Sequence, residues 1–83
     1  MTEVSYKELE MILKIMDNDE SIGIIKRMDN SVFKARITKN KDMYDTCIVI
    51  KSPDGDYTYN FSLYTVSGCI DTIRYTLNMF KEK

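Results

Sequence analysis

Three turn signals cut residues 21–64 into four short runs of β-branched and aromatic residues, and this punctuation constrains the fold of the chain more than any other feature. Asp29-Asn30 makes a two-residue hairpin loop from residues that tolerate positive φ. Lys39 to Asp42 is the second turn. Pro53-Asp54-Gly55 is the third, since proline presets one turn position and glycine supplies the other. Connections of this length hold no crossover, so the strands Ile22 to Met28, Ser31 to Thr38, Met43 to Lys51 and Asp56 to Tyr64 are expected to form an antiparallel meander.

Alternation assigns faces within those strands. Phe33, Ala35 and Ile37 alternate with Lys34, Arg36 and Thr38, a half-buried pattern. Tyr57, Tyr59, Phe61 and Leu63 are expected on the buried face of the fourth strand, and Thr58, Asn60, Ser62 and Tyr64 on the other. Ile48 and Ile50 oppose Cys47 and Val49, so the third strand is apolar on both sides and belongs inside the sheet. Helical spacing brackets the strands. Ser5 and Glu8 form a capping box ahead of Tyr6, Leu9, Ile12, Leu13 and Met16. The acidic run Asp17 to Glu20 opposes the helix dipole and ends that helix by Asp17. Thr65 or Ser67 caps a second helix carrying Val66, Ile70, Ile73, Leu77 and Phe80, with Cys69 alongside. The expected fold is one α+β domain over residues 1–83, a four-stranded antiparallel meander flanked by an N-terminal and a C-terminal helix (α-β-β-β-β-α).

Absences narrow the function. The 83 residues include no His and no Trp, which removes the commonest general base near neutral pH, any Ser-His or Cys-His pair and the commonest metal ligand. No enzyme activity and no cofactor are expected. Cys47 and Cys69 sit singly within apolar stretches, as reduced core thiols do, and offer no zinc spacing. Asp17-Asn18-Asp19-Glu20-Ser21 begins like a calcium loop but has Ile22 where the sharp turn needs glycine and Met28 where a bidentate glutamate belongs. Asp54 and Asp56 flank a turn glycine at a wet hairpin tip, a poor setting for acid-base chemistry. Asn60-Phe61-Ser62 matches a glycosylation sequon only in mid-strand, and Gly68 lacks the neighbours of a phosphate loop, which leaves close helix-on-sheet packing as its reason. No apolar run is long enough for a membrane span, and Met1 to Ser5 does not open like a leader, so a cytoplasmic location is expected.

The distribution of charge is more informative than the net charge of -1. Residues 1–20 sum to -4, residues 21–42 to +4 and residues 43–83 to -1. Lys26, Arg27, Lys34, Arg36, Lys39 and Lys41 thus make the first hairpin and its following turn a basic ribbon. It suits a phosphate backbone or an acidic protein surface, or else is a solvated outer face that keeps the edge from aggregating. Tyr64, on the polar side of its strand, is the one candidate exposed aromatic contact. The pI of about 5.3 argues against a dedicated nucleic-acid binder. In its Lys, Ile, Asn, Asp and Tyr usage and small α+β format, the chain resembles the small proteins of AT-rich bacteria and their phages, among them anti-CRISPR and other anti-defence inhibitors. That resemblance implies a protein-binding inhibitor that blocks a host protein or nucleoprotein complex by covering its surface. The expected contact residues are Lys26, Arg27, Lys34, Arg36, Lys39 and Tyr64, and the alternative is a nucleic-acid-binding module built on the hairpin from Lys26 to Lys41.

Overall fold

A computed structural model describes residues 5–81. Its elements are α1 (Tyr6–Ile15), β1 (Ser21–Arg27), β2 (Val32–Asn40), β3 (Met43–Ser52), β4 (Gly55–Leu63) and α2 (Val66–Lys81). The strands pair in chain order, each antiparallel to the next. This is the α+β meander between two helices that the turn signals predict. The reading of Met1 to Ser5, apart from Ser5 itself, and the packing of the Phe80 side chain lie outside the described residues.

α1 starts where Ser5 Oγ accepts a hydrogen bond from the Glu8 amide at 3.2 Å. The Glu8 carboxylate accepts from the Ser5 hydroxyl at 3.3 Å, which closes the cap from the other side. The helix ends before Asp17, as the acidic run requires. That run then ties down the next turn: Asn18 Oδ1 accepts from the Lys41 amide at 2.7 Å, and the Asp19 amide donates to the Lys39 carbonyl at 2.8 Å.

All three turns differ in some respect from expectation. Neither Asp29 nor Asn30 takes a positive φ; a hydrogen bond from the Met28 amide to the Ser31 carbonyl closes the loop, and Ser31 belongs to the turn and not to the strand. The second turn is only Lys41-Asp42, because Lys39 and Asn40 continue β2 and pair with Tyr44 and Met43. Lys41 there takes φ 58, left-handed backbone uncommon for a residue with a Cβ, and Asn18 holds its amide in place. The third turn is Pro53-Asp54 alone, because Gly55 opens β4 opposite Ser52; its φ of 132, a conformation open to glycine, is where the chain leaves the turn.

Both helices cover one face of the sheet. Leu9, Leu13 and Met16 of α1 and Cys69, Ile70, Ile73 and Leu77 of α2 share a core with Ile24, Phe33, Ala35, Ile37, Tyr44, Ile48 and Ile50. Tyr44 donates its hydroxyl to the Leu13 carbonyl at 3.0 Å, and so serves one of the carbonyls that a helix C-terminus leaves without an intrahelical donor. Arg74 lies over the Tyr6 ring at 4.7 Å, joining the two helices. The faces of β4 follow the alternation, but none of its residues is fully buried: Tyr59, Phe61 and Leu63 are half-buried and Tyr57 is exposed. The reason is position, since β4 is an edge strand and α2 shields it from one side only.

Thr65, not Ser67, caps α2, accepting from the Gly68 amide at 2.9 Å. A Cβ on Gly68 would stand 2.9 Å from Thr65 Oγ1. The glycine therefore accommodates the cap, which corrects the expectation of close packing against the sheet. Cys47 is a second correction: only Cys69 is a core thiol, while Cys47 is half-buried on the opposite face of the sheet.

Candidate functional site

Register turns the uncovered face of the sheet into a map. Residues paired directly across strands share a face, and those on the side away from the helices fall in rows. Arg27, Val32, Lys51 and Asp56 form the row at the end nearest the first and third turns. Next come Ile25, Lys34, Val49 and Thr58, then Gly23, Arg36, Cys47 and Asn60, and then Ser21, Thr38, Asp45 and Ser62. None of these residues is buried, and among the described residues nothing packs over them.

The face has two zones of different chemistry. The last row is a hydrogen-bonded polar belt: Ser21 and Thr38 share a hydroxyl contact of 2.8 Å, and Asp45 accepts from Ser62 at 3.1 Å and from Asn40 at 3.3 Å. The first three rows hold Arg27, Lys34, Arg36 and Lys51 among Ile25, Val32 and Val49, with one carboxylate, Asp56, opposite Lys51. Lys34 stands between Ile25 and Val49, and Arg36 between Gly23 and Cys47. Among the described residues none of these four cations is found in an ion pair, whereas Lys14 pairs with Glu10 on α1. Strand spacing sets Arg27 and Lys51 roughly 10 Å apart, and Lys34 and Arg36 roughly 7 Å apart along β2.

The cations of the basic ribbon and Tyr64 are therefore divided. Arg27, Lys34 and Arg36 lie together on the open face. Lys26 pairs with Phe33 and Lys39 with Tyr44, so both are on the helix-covered side. Lys39 Nζ there lies 5.2 Å from the centre of the Tyr44 ring. Lys41 occupies the second turn. Tyr64 is 73% exposed but follows the end of β4, six residues beyond Thr58 in the Lys34 row, which is roughly 20 Å along the sheet.

Sequence reasoning missed Lys51 and the aliphatic companions Ile25, Val32 and Val49. The signal for them was the two-faced apolarity of β3, which places it inside the sheet but does not reveal that helices cover only one side. A shallow depression between the first and third turns, lined by Lys26, Arg27, Asp29, Asp54 and Tyr57 among others, adds carboxylates of wet turns to the basic end. Burial raises the pKa of the Cys69 thiol, with the neighbouring Thr46 hydroxyl acting in the opposite sense, so this cysteine is held as an unreactive thiol. No family model, curated protein or solved structure matches the chain.

Proposed function

We propose that the protein is a non-catalytic binding module that covers the surface of a protein partner with the open face of its sheet, Lys34 and Arg36 at the centre and Arg27 and Lys51 at one end. The observation that carries this reading is the interleaving of unpaired cations with aliphatic side chains on a face that nothing else in the described chain covers. Aliphatic groups supply apolar area, and the cations supply orientation and a faster encounter with an acidic surface. Single-stranded nucleic acid is the less favoured ligand. Its bases stack on exposed aromatic rings, whereas Tyr57, Tyr59 and Phe61 lie on the helix-covered side and Tyr64 stands away from the cations. The resemblance to small anti-defence inhibitors makes a host protein or nucleoprotein complex in the cytoplasm the first partner to test, with stoichiometric blockade in place of turnover and no cofactor.

The test compares the wild-type protein with a Lys34→Glu, Arg36→Glu variant of unchanged circular dichroism. Capture from host lysate should yield a stoichiometric protein partner for the wild type, and charge reversal should slow association with it by roughly tenfold or more at low salt. Fluorescence anisotropy with labelled single-stranded and duplex oligonucleotides supplies the opposite outcome. Tight, salt-sensitive binding of free nucleic acid, lost in the same variant, would replace this reading with the nucleic-acid-binding module.

A further inference from the structure

Among the described residues no strand neighbours β4 on one side of its backbone along nine residues, roughly 30 Å of edge. An edge of this length is a template for another strand unless charge, proline or a bulge blocks it. β4 has no proline and one charged side chain, Asp56, near its start. Its sequence is also close to a chemical palindrome about Tyr59. Thr58 and Asn60 flank the centre, then Tyr57 and Phe61, then Asp56 and Ser62, then Gly55 and Leu63.

An antiparallel copy of β4 centred on Tyr59 therefore sets polar residues opposite polar ones on the open face and aromatic residues opposite aromatic ones on the helix face. No like charges meet. The other edge lacks this property: a reversed β1 centred on Ile24 would put Lys26 opposite Ile22 and Arg27 opposite Ser21.

We infer that a second copy of this chain docks along β4, forming a two-fold dimer with a continuous eight-stranded sheet. The axis stands perpendicular to the sheet at Tyr59. The helices of both copies lie on one side of the joined sheet and the two open faces on the other, which doubles the cationic surface. The interface uses the same edge twice, as an isologous interface must.

Analytical ultracentrifugation over a wide concentration range should give twice the monomer mass, with dissociation on dilution. Thr58→Lys combined with Asn60→Lys sets lysines opposite each other across the axis and should give a folded monomer. If that variant fails to fold, hydrogen exchange of the wild type reads the edge directly: the β4 amides that face away from β3 should be protected where the dimer forms and exchange freely on dilution. A wild-type protein that stays monomeric at the highest concentration overturns the inference. So does a dimer that survives the lysine pair or leaves those amides unprotected, since it would be built on another surface.

Discussion

Thr46 Oγ1 is a buried polar atom that meets no oxygen or nitrogen partner among the described residues, and the Cys69 thiol beside it in the core is a weak one. A buried hydroxyl so weakly paired costs stability that an isosteric methyl does not. Thr46→Val is therefore expected to stabilise the protein by about 1 kcal/mol, read as a higher denaturant midpoint at unchanged slope. Tyr44 is the opposite case, because its buried hydroxyl serves the Leu13 carbonyl. Tyr44→Phe should cost about 1 kcal/mol or somewhat more, as a neutral hydrogen bond is lost and its acceptor is left in the core. Cys69 links residue chemistry to pH. Its pKa in the folded state is raised above the ordinary value of 9.0, by burial first. The unfolded chain thus loses this proton before the folded one, so the contribution is intact below that pH and declines as pH rises beyond it. Cys69→Ala should flatten the alkaline fall in stability relative to the wild type, and a difference curve of the two midpoints between neutral and alkaline pH measures this.

At the scale of the element, the start of α2 couples two residues. Thr65 Oγ1 caps the Gly68 amide, and a Cβ on Gly68 would crowd the same oxygen. Alanine in a helix is favoured over glycine by up to about 1 kcal/mol, while losing a threonine cap costs about as much. Gly68→Ala alone is therefore expected to gain little or nothing. In a Thr65→Ala background, where the crowded oxygen is gone, the same change should stabilise by several tenths of a kcal/mol to about 1 kcal/mol. A double-mutant cycle by chemical denaturation reads the coupling, and strictly additive effects would show that cap and glycine act separately.

For the whole molecule, one-sided coverage separates stability from recognition. Leu77 lies in the single core between the helices and the sheet, and Leu77→Ala should cost about 2–5 kcal/mol. That is a large share of the stability of so small a domain. Lys34→Glu with Arg36→Glu, on the uncovered face, should change stability by no more than about 1 kcal/mol while altering partner association. Thermal or denaturant unfolding of both variants checks the division. A large loss in the charge-reversal variant would mean that the open face contributes to the fold. The borders of α1, the strand order and the core face of β2 were legible because each follows from a local cap, turn or period, whereas the two-faced apolarity of β3 left its core side open. The grouping of the candidate binding residues was not, since it depends on which side of each strand faces the helices.

What the sequence determined by itself is the class and order of elements: short turns dictate antiparallel neighbours, two-residue alternation gives strand faces, and spacings of three and four give helix stripes. Those are properties of neighbouring residues along one chain. Only the tertiary structure decided that Lys26 and Lys39 separate from Lys34 and Arg36, that Lys51 joins Arg27 on one row, and that Val49 and Cys47 are left uncovered. It also decided that Tyr57, Tyr59 and Phe61 flank an edge and do not sit deep in a core. Register and the placement of two helices on a single face set these outcomes, and both arise from contacts between segments distant in sequence.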